Sequence, residues 1–211
     1  LRCLVGSEMC IRDRLLGVHN IRNSTAAIAV ALTVGIPVSN IKKGLKNFKG
    51  VQRRFNKIFT FNGVDFYDDY AHHPTEIKSV LEGVKKVFDK CEKVCVFQPH
   101  RISRLKDLRN EFTHCFRDAD TIILCPIFTA GEKIKLGFHY NDFAKEIIKN
   151  SKVKLFMIKN NIELAKFLKQ NIYGNKIVIG MGAGTISNWM KKLPELMLSL
   201  IHISEPTRHR R

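Results

Sequence analysis

Acidic residues are scarce in this chain: 19 Asp and Glu stand against 36 Lys and Arg, for a formal net charge of +17 over 211 residues. No apolar run is long enough to cross a membrane, and internal repeats and low-complexity linkers are missing as well. The cysteines show no zinc-ligand spacing. Cys91, Cys95, Cys115 and Cys125 lie mostly in apolar runs and read as reduced core thiols. There is no Gly-x-x-x-x-Gly-Lys-Ser/Thr phosphate loop, so the sequence offers no nucleotide cradle of that type. The basic excess raises nucleic-acid binding as a possibility. Yet the lysines are spread as Lys42-Lys43, Lys85-Lys86 and Lys191-Lys192, with no aromatic-studded groove. A solvated lysine-biased surface that attracts anionic substrates is the better reading.

The two ends stand apart. Residues 3–14 resemble a translated sequencing adapter, and residues 198–208 resemble the same adapter read from the other strand. The expected division is therefore an adapter-like leader over 1–14, a helical end of one domain over 15–52, an α/β domain over 53–197 and an adapter-like tail over 198–211. Together the ends contribute +3 of the net charge, six Arg against Glu8, Asp13 and Glu205.

Within the body, Asn23-Ser24-Thr25 offers caps for the apolar run 26–32, closed by Gly35 and Pro37. Ser39 can cap a second helix that carries Ile41, Leu45 and Phe48 and closes at Gly50. The two helices have an apolar face and little within their own span to bury it against. From Arg53 the pattern changes. Lys57–Phe61 and Val64–Tyr67 flank Asn62-Gly63, the strongest short hairpin signal. Strand-like runs follow at Lys93–Phe97, Thr121–Leu124, Val153–Ile158 and Lys176–Ile179. Helical runs fall at Pro74–Phe88, Ser103–Phe116, Asn141–Ile148, Ile162–Gln170 and Ile186–Lys192. Short, uniformly apolar strands suit a parallel sheet covered on both faces. The expected fold is α/β, a Rossmann-like doubly wound and mostly parallel sheet entered by a β-hairpin.

Polar residues gather at strand ends and helix starts. Asp68-Asp69-Tyr70-Ala71-His72-His73-Pro74 crowds two carboxylates, a phenol and two imidazoles where a strand gives way to a helix. That edge is where open α/β sheets bind ligands. Capping accounts for any one of these residues, but not easily for five in seven positions. Asn20 and Asn23, three apart, can turn their amides the same way from a first helical turn, an arrangement that suits an adenine edge or a pair of caps. Arg53-Arg54 sits between the two regions, where an arginine can clamp a polyphosphate. Gln98-Pro99-His100-Arg101-Ile102-Ser103-Arg104 follows a buried strand. Two arginines at a helix start oppose the helix dipole unless an anion lies between them, and this points to a small carboxylate ligand. Glu132, after Ala130-Gly131, adds a carboxylate to the same rim. Gly180-Met181-Gly182-Ala183-Gly184 looks like a dinucleotide fingerprint but has no later strand or distant acidic partner, and reads as a tight packing turn.

Together, residues 17–23, 50–55, 68–76, 98–104, 130–132 and 182–184 resemble the Mur ligase family, in the family's order and across nearly all of 15–197. The paired histidines and the Gln-Pro-His-Arg-x-Ser-Arg element point to the branch that joins L-alanine to UDP-N-acetylmuramate. The resemblance implies a bacterial cytoplasmic enzyme of peptidoglycan precursor synthesis that uses ATP and Mg2+. It phosphorylates the muramic carboxylate, and the amine of alanine then attacks the acyl phosphate. By this resemblance Asn20 and Asn23 would lie at the adenine, Arg54 at the phosphates and Asp69 at the ribose. Tyr70, His72, His100, Arg101 and Arg104 would line the alanine site, with His72 and His100 as the candidate catalytic residues. No metal ligand is assigned; those for Mg2+ are expected mostly outside this chain, as are the phosphate loop and the UDP-sugar-binding domain. The segment alone is therefore expected to be inactive. Ile102 stands where the family commonly has an aromatic. The alternatives are a stand-alone nucleotide or amino-acid binding module of Rossmann type and the related murein-tripeptide recycling ligase.

Overall fold

In the computed structural model, residues 18–48, 51–132 and 138–202 are described. Among the described residues two helices come first, α1 (Val18–Thr33) and α2 (Val38–Asn47). A six-stranded sheet follows, built from β1 (Asn56–Phe61), β2 (Val64–Asp69), β3 (Glu92–Phe97), β4 (Thr121–Leu124), β5 (Lys154–Met157) and β6 (Lys176–Met181). Its order is β1-β2-β6-β3-β4-β5, with β1 antiparallel to β2 and every other pairing parallel. The hairpin turns at Asn62 and Gly63, both at positive φ (50° and 77°), as a tight two-residue turn between right-twisted strands requires. The expected doubly wound sheet with a hairpin entry is the observed one.

The connecting helices divide between the two faces. α3 (Pro74–Val87), the short pair α4 (Ile102–Asp107) and α5 (Arg109–His114), and α6 (Tyr140–Ser151) cover one face through Ile77, Leu81, Leu105, Phe112, Phe143 and Ile147. α7 (Asn161–Asn171) and α8 (Ile186–His202) cover the other through Leu164, Leu168, Ile186, Met190, Leu193 and Met197. Alternate strand residues serve the two cores: Cys95, Phe97, Ile122 and Leu124 point one way, Val94, Val96 and Ile123 the other. Burial on both faces makes these strands read as unbroken apolar runs. Cys95, Cys115 and Cys125 are buried and free, and Cys91 is half-buried and free.

Several local expectations are corrected. α1 starts at Val18, so Asn23, Ser24 and Thr25 lie in its interior and not at its cap; Thr25 Oγ1 donates back to the Ile21 carbonyl at 2.9 Å. Ser39 falls inside α2, whose N-cap is Pro37, and the helix closes at Phe48; Gly50 lies outside the described residues. The single helix expected over 103–116 is broken at Leu108 (φ −111°, ψ 28°). Apolar spacing continues across that break, so periodicity could not reveal it. α8 runs through Pro194 to His202, well past Lys192, because Leu193 and Met197 still bury on the second core. Just past Met197, Leu198 is 57% exposed.

Strand order positions the site. β6 inserts between β2 and β3, and the chain leaves it toward α8, whereas it leaves β2 and β3 toward the opposite face. Asp69, Met181 and Phe97 end their strands in register. The loops beyond them diverge at the point where the winding direction reverses, the place where open α/β sheets form a ligand crevice.

Candidate active site

The crevice is assembled from the loops after β2, β3, β4 and β6. Asp69, at the end of β2, is 2% exposed. One carboxylate oxygen accepts the Ala71 N–H at 2.7 Å, and the other accepts the Phe55 N–H at 2.8 Å. Burial raises its pKa to about 6, against the pull of those two N–H groups and of Arg54. Asp69 therefore fastens the preceding loop, in which Arg53 and Phe55 hold positive φ (59° and 52°) and which carries Arg54. The neighbouring Asp68 accepts from Ser187 Oγ at 2.5 Å and pairs with Arg53 Nε at 3.6 Å. Arg53 also donates to the Gly182 carbonyl and lies over the Tyr70 ring, 4.7 Å from its centroid.

Beyond Tyr70 the two histidines part. His73 caps α3: its Nδ1 accepts the Thr75 N–H at 3.4 Å, while Glu76 Oε2 accepts the His73 N–H at 3.2 Å. For this histidine, helix capping is part of what it does. His72 turns to the crevice, with its ring edge-on to Tyr70 at 5.0 Å and 5.8 Å from the ring of His100. His72 Nδ1 lies 3.0 Å from the Tyr70 carbonyl and 3.3 Å from Glu76 Oε2. Both partners only accept, so the hydrogen sits on Nδ1 and, in the neutral ring, Nε2 keeps its lone pair. Burial would raise the Glu76 carboxyl. The His72 and His73 N–H groups and the charges of His72 and Arg54 outweigh it, and Glu76 sits below its usual value.

His100, after β3, stacks on Phe128 at 5.4 Å. Burial first, then Arg104, His72 and Arg101, lower its pKa, while Glu132 opposes them. His100 is thus a neutral imidazole among cations at neutral pH. Arg101 is exposed and Arg104 half-buried. Gln98 is buried, and its Oε1 accepts the Ile186 N–H at 2.9 Å, fastening the start of α8. Gly182 and Gly184 pass over this segment. A Cβ on Gly182 would come within 2.7 Å of the Gln98 carbonyl, and one on Gly184 within 2.6 Å of Phe128. The glycine run is a close packing turn, as its sequence suggested.

Among the described residues, the buried side-chain atoms without a hydrogen-bond partner are Arg53 Nε, Asp68 Oδ1, His100 Nδ1 and Arg104 Nη1. All four lie on residues at this rim. Buried polar groups are ordinarily satisfied, so this rim is where the described residues hold unspent hydrogen-bonding capacity, half of it on guanidinium groups.

A second hollow of about 260 Å³ adjoins it, between α1 and α3. Asn23, Arg54, Thr75, Glu76 and Ser79 line it. Asn20 lies three residues before Asn23 on the same helix. The structure thus brings Asn23 together with Arg54, and Tyr70 together with His72, His100 and the two arginines. Glu76 touches both groups: it lines the hollow and orients His72. Sequence reading gave Glu76 no role, although its position three residues after His73 is the spacing of a capping box. Phe128 and Ser187 carried no sequence signal; only tertiary packing brings them here. A larger, mostly apolar hollow of about 640 Å³ lies past β4 and β5, against Ile102, Ile127, Phe138 and Tyr140.

Fold and crevice define a class: a doubly wound α/β domain that offers arginines, imidazoles and amides to anionic ligands at its carboxyl edge. The chain belongs to the Mur ligase family. Residues 53–184 match the family described as Mur ligase, glutamate ligase domain. The chain is 69% identical over 187 residues to the UDP-N-acetylmuramate–L-alanine ligase of Pelagibacter ubique, covering 89% of this chain and 40% of that protein. It is 41% identical over 203 residues to the enzyme of that name from Agrobacterium fabrum, covering 95% and 43%. Among solved structures, the UDP-N-acetylmuramate-alanine ligase of Thermotoga maritima superposes with a TM-score of 0.70 at 26% identity, over 87% of this chain and 39% of that one. The chain thus spans about two fifths of the length of these relatives. Among the described residues, no helix is long and apolar enough to cross a membrane.

Proposed function

We propose that this chain is the carboxyl-terminal part of an ATP-dependent ligase that joins L-alanine to UDP-N-acetylmuramate for peptidoglycan synthesis in the bacterial cytoplasm. In this reading, residues 15–52 end a central nucleotide-binding domain and residues 53–197 form the C-terminal domain. The observation that carries it is the pairing of two adjoining sites: a hollow lined by Asn23, Arg54, Thr75, Ser79 and Glu76, and a crevice where Arg53 Nε and Arg104 Nη1 are buried without a hydrogen-bond partner. Relatives at 69% and 41% identity carry the name of this activity.

The hollow suits a nucleotide. Asn23, with Asn20 beside it on the helix, meets the adenine edge, and Arg54 meets the phosphates. Asp69 serves this side by anchoring the loop that carries Arg54. ATP supplies the phosphoryl group that converts the muramic carboxylate to an acyl phosphate. Among the described residues, no group of three His, Cys, Asp or Glu is placed to hold a metal ion. The Mg2+ ligands are assigned to the rest of the longer ligase.

In the crevice, Arg101 and Arg104 take the carboxylate of alanine by charge-assisted hydrogen bonds. His72, with Nδ1–H held by the Tyr70 carbonyl and Glu76, presents Nε2 to accept the proton that the ammonium of alanine must lose before its nitrogen can attack. His100, neutral beside it, is the second acceptor. The C–N bond then forms as phosphate leaves, and the cations from both sites stabilise the charge on the departing group.

The test is to join this segment to the amino-terminal remainder of the Pelagibacter ubique ligase and follow alanine-dependent phosphate release. The fusion is expected to turn over and the 211-residue chain alone to be silent. Arg101→Ala is expected to raise the alanine KM by about 10- to 100-fold, the worth of one hydrogen bond to a charged group. An unchanged alanine KM removes Arg101 from the site, and turnover by the chain alone rejects the division of labour.

A further inference from the structure

α4 carries Arg104 and follows Arg101, its N-cap residue, yet supplies no acid at its start, and Arg101 makes no side-chain cap bond. The N–H groups at its start are received instead by a carboxylate some thirty positions away. Glu132 Oε2 accepts from Ile102 at 2.8 Å and Ser103 at 3.1 Å, and Oε1 accepts the Ser103 hydroxyl at 2.5 Å. Arg101 itself sits at φ 69°, a strained conformation for a side-chain-bearing residue that persists only where the surroundings impose it. They do so from both sides. The Arg101 N–H donates to the Phe128 carbonyl at 2.8 Å, and the Phe128 N–H donates to the Pro99 carbonyl at 2.8 Å. The N–H groups after Arg101 go to Glu132. Phe128 and Glu132 belong to one loop, turned by Ala130 and Gly131 at positive φ (51° and 86°) and closed by the Glu132 N–H on the Thr129 carbonyl at 3.0 Å.

We propose that Glu132 is a positioning residue for the amino-acid site: by receiving the N–H groups of Ile102 and Ser103 it holds Arg101 in its left-handed conformation and aims Arg101 and Arg104 at the crevice. The inference rests on the reading of that crevice as the alanine site, and it gives the loop after β4 a specific task there. The position of the charge agrees, since the carboxylate stands at the positive end of the helix beside Arg101, whose charge it attracts. The hydroxyl and N–H of Ser103 hold the Glu132 carboxyl below its usual value, so it stays charged through the neutral range. A carboxylate that served only as a cap would stabilise the helix without favouring any one substrate. One that aims two arginines acts on alanine alone.

Two measurements separate these roles. In the fusion with the Pelagibacter ubique remainder, Glu132→Ala is expected to raise the alanine KM by about 10- to 100-fold while the KM values for ATP and UDP-N-acetylmuramate stay within about twofold. Glu132→Gln, which keeps one acceptor oxygen, should fall between wild type and Glu132→Ala. In the 211-residue chain, the amides of Ile102 and Ser103 should exchange slowly in wild type and fast in Glu132→Ala, with those of Val94–Phe97 unchanged. An alanine KM unmoved in folded Glu132→Ala, all three KM values rising together, or exchange at Ile102 and Ser103 that ignores the substitution overturns the proposal. If the wild-type fusion releases no phosphate with alanine while Ile102 and Ser103 still lose protection in the variant, the ligase reading fails and the clamp on Arg101 stands.

Discussion

A carboxylate taken out of water prefers to be protonated, and Asp69 is the clearest case here. Two backbone N–H groups and Arg54 favour its charged form, yet burial wins and the group titrates near 6 in place of 3.8. Between those values the folded chain holds more proton at Asp69 than the unfolded chain does. This residue's contribution to stability is therefore fully present below about pH 4, falls as pH rises through about 6, and is flat above. A carbon-13 titration of the Asp69 carboxyl is expected to show its midpoint near 6, and a midpoint near 4 would show that water reaches it. As the proton arrives, one of the two N–H groups loses part of its acceptor. The loop that holds Arg54 should loosen, and nucleotide affinity in the longer ligase should fall below pH 6. The types of residue at this site were legible in the sequence because so many chemical groups crowd residues 68–74. What each one does was not. His73 caps, His72 faces the crevice, Asp68 is tied to Ser187 and Asp69 to Phe55, and those assignments depend on partners more than a hundred residues away in one case and fourteen in another.

At the scale of elements, strands and the paired faces of helices could be read from apolar spacing, and the sheet matches the sequence reading to within two residues at every strand end. Caps and breaks could not. α1 begins before the Asn-Ser-Thr run that resembles a cap, and the turn at Leu108 interrupts an apolar period that itself runs on. The glycine turn after β6 shows how tightly the elements meet. Phe128 and Gln98 lie against Gly184 with no room for a methyl group, the nearest atoms being 2.6 Å from a built Cβ. Gly184→Ala must therefore push the Phe128 ring or the Gln98 amide aside. Overpacking of this kind costs typically 1–3 kcal/mol, about the loss expected in denaturant unfolding. Because Phe128 stacks on His100 and accepts the Arg101 N–H, the same variant should also raise the alanine KM of the longer ligase. Gly63→Ala, in a hairpin turn with open space around it, should lower stability without touching alanine.

Across the whole molecule, the two leading helices differ from the rest. Val30, Leu32 and Val34 are 64%, 48% and 68% exposed, whereas the sheet and its covering helices bury most of their large apolar side chains in two cores. Of residues 21–48, only Ile41 is buried. The sequence already hinted at this as an apolar face with nothing beside it, but it could not say that the later α/β layers leave that face uncovered. If residues 15–52 close a central domain of a longer ligase, those side chains pack within that domain and contribute nothing here. Val30→Ser with Leu32→Ser is then expected to shift the unfolding free energy of the 211-residue chain by no more than about 0.5 kcal/mol, as exposed substitutions do. In the fusion with the Pelagibacter ubique remainder the same pair should cost several kcal/mol, since each loses about 1.5–3 kcal/mol of burial on top of any void. Equal small effects in both proteins would place the two helices outside any shared core. A large effect in the chain alone would mean that α1 and α2 are covered in solution by something other than a missing domain, such as a second copy.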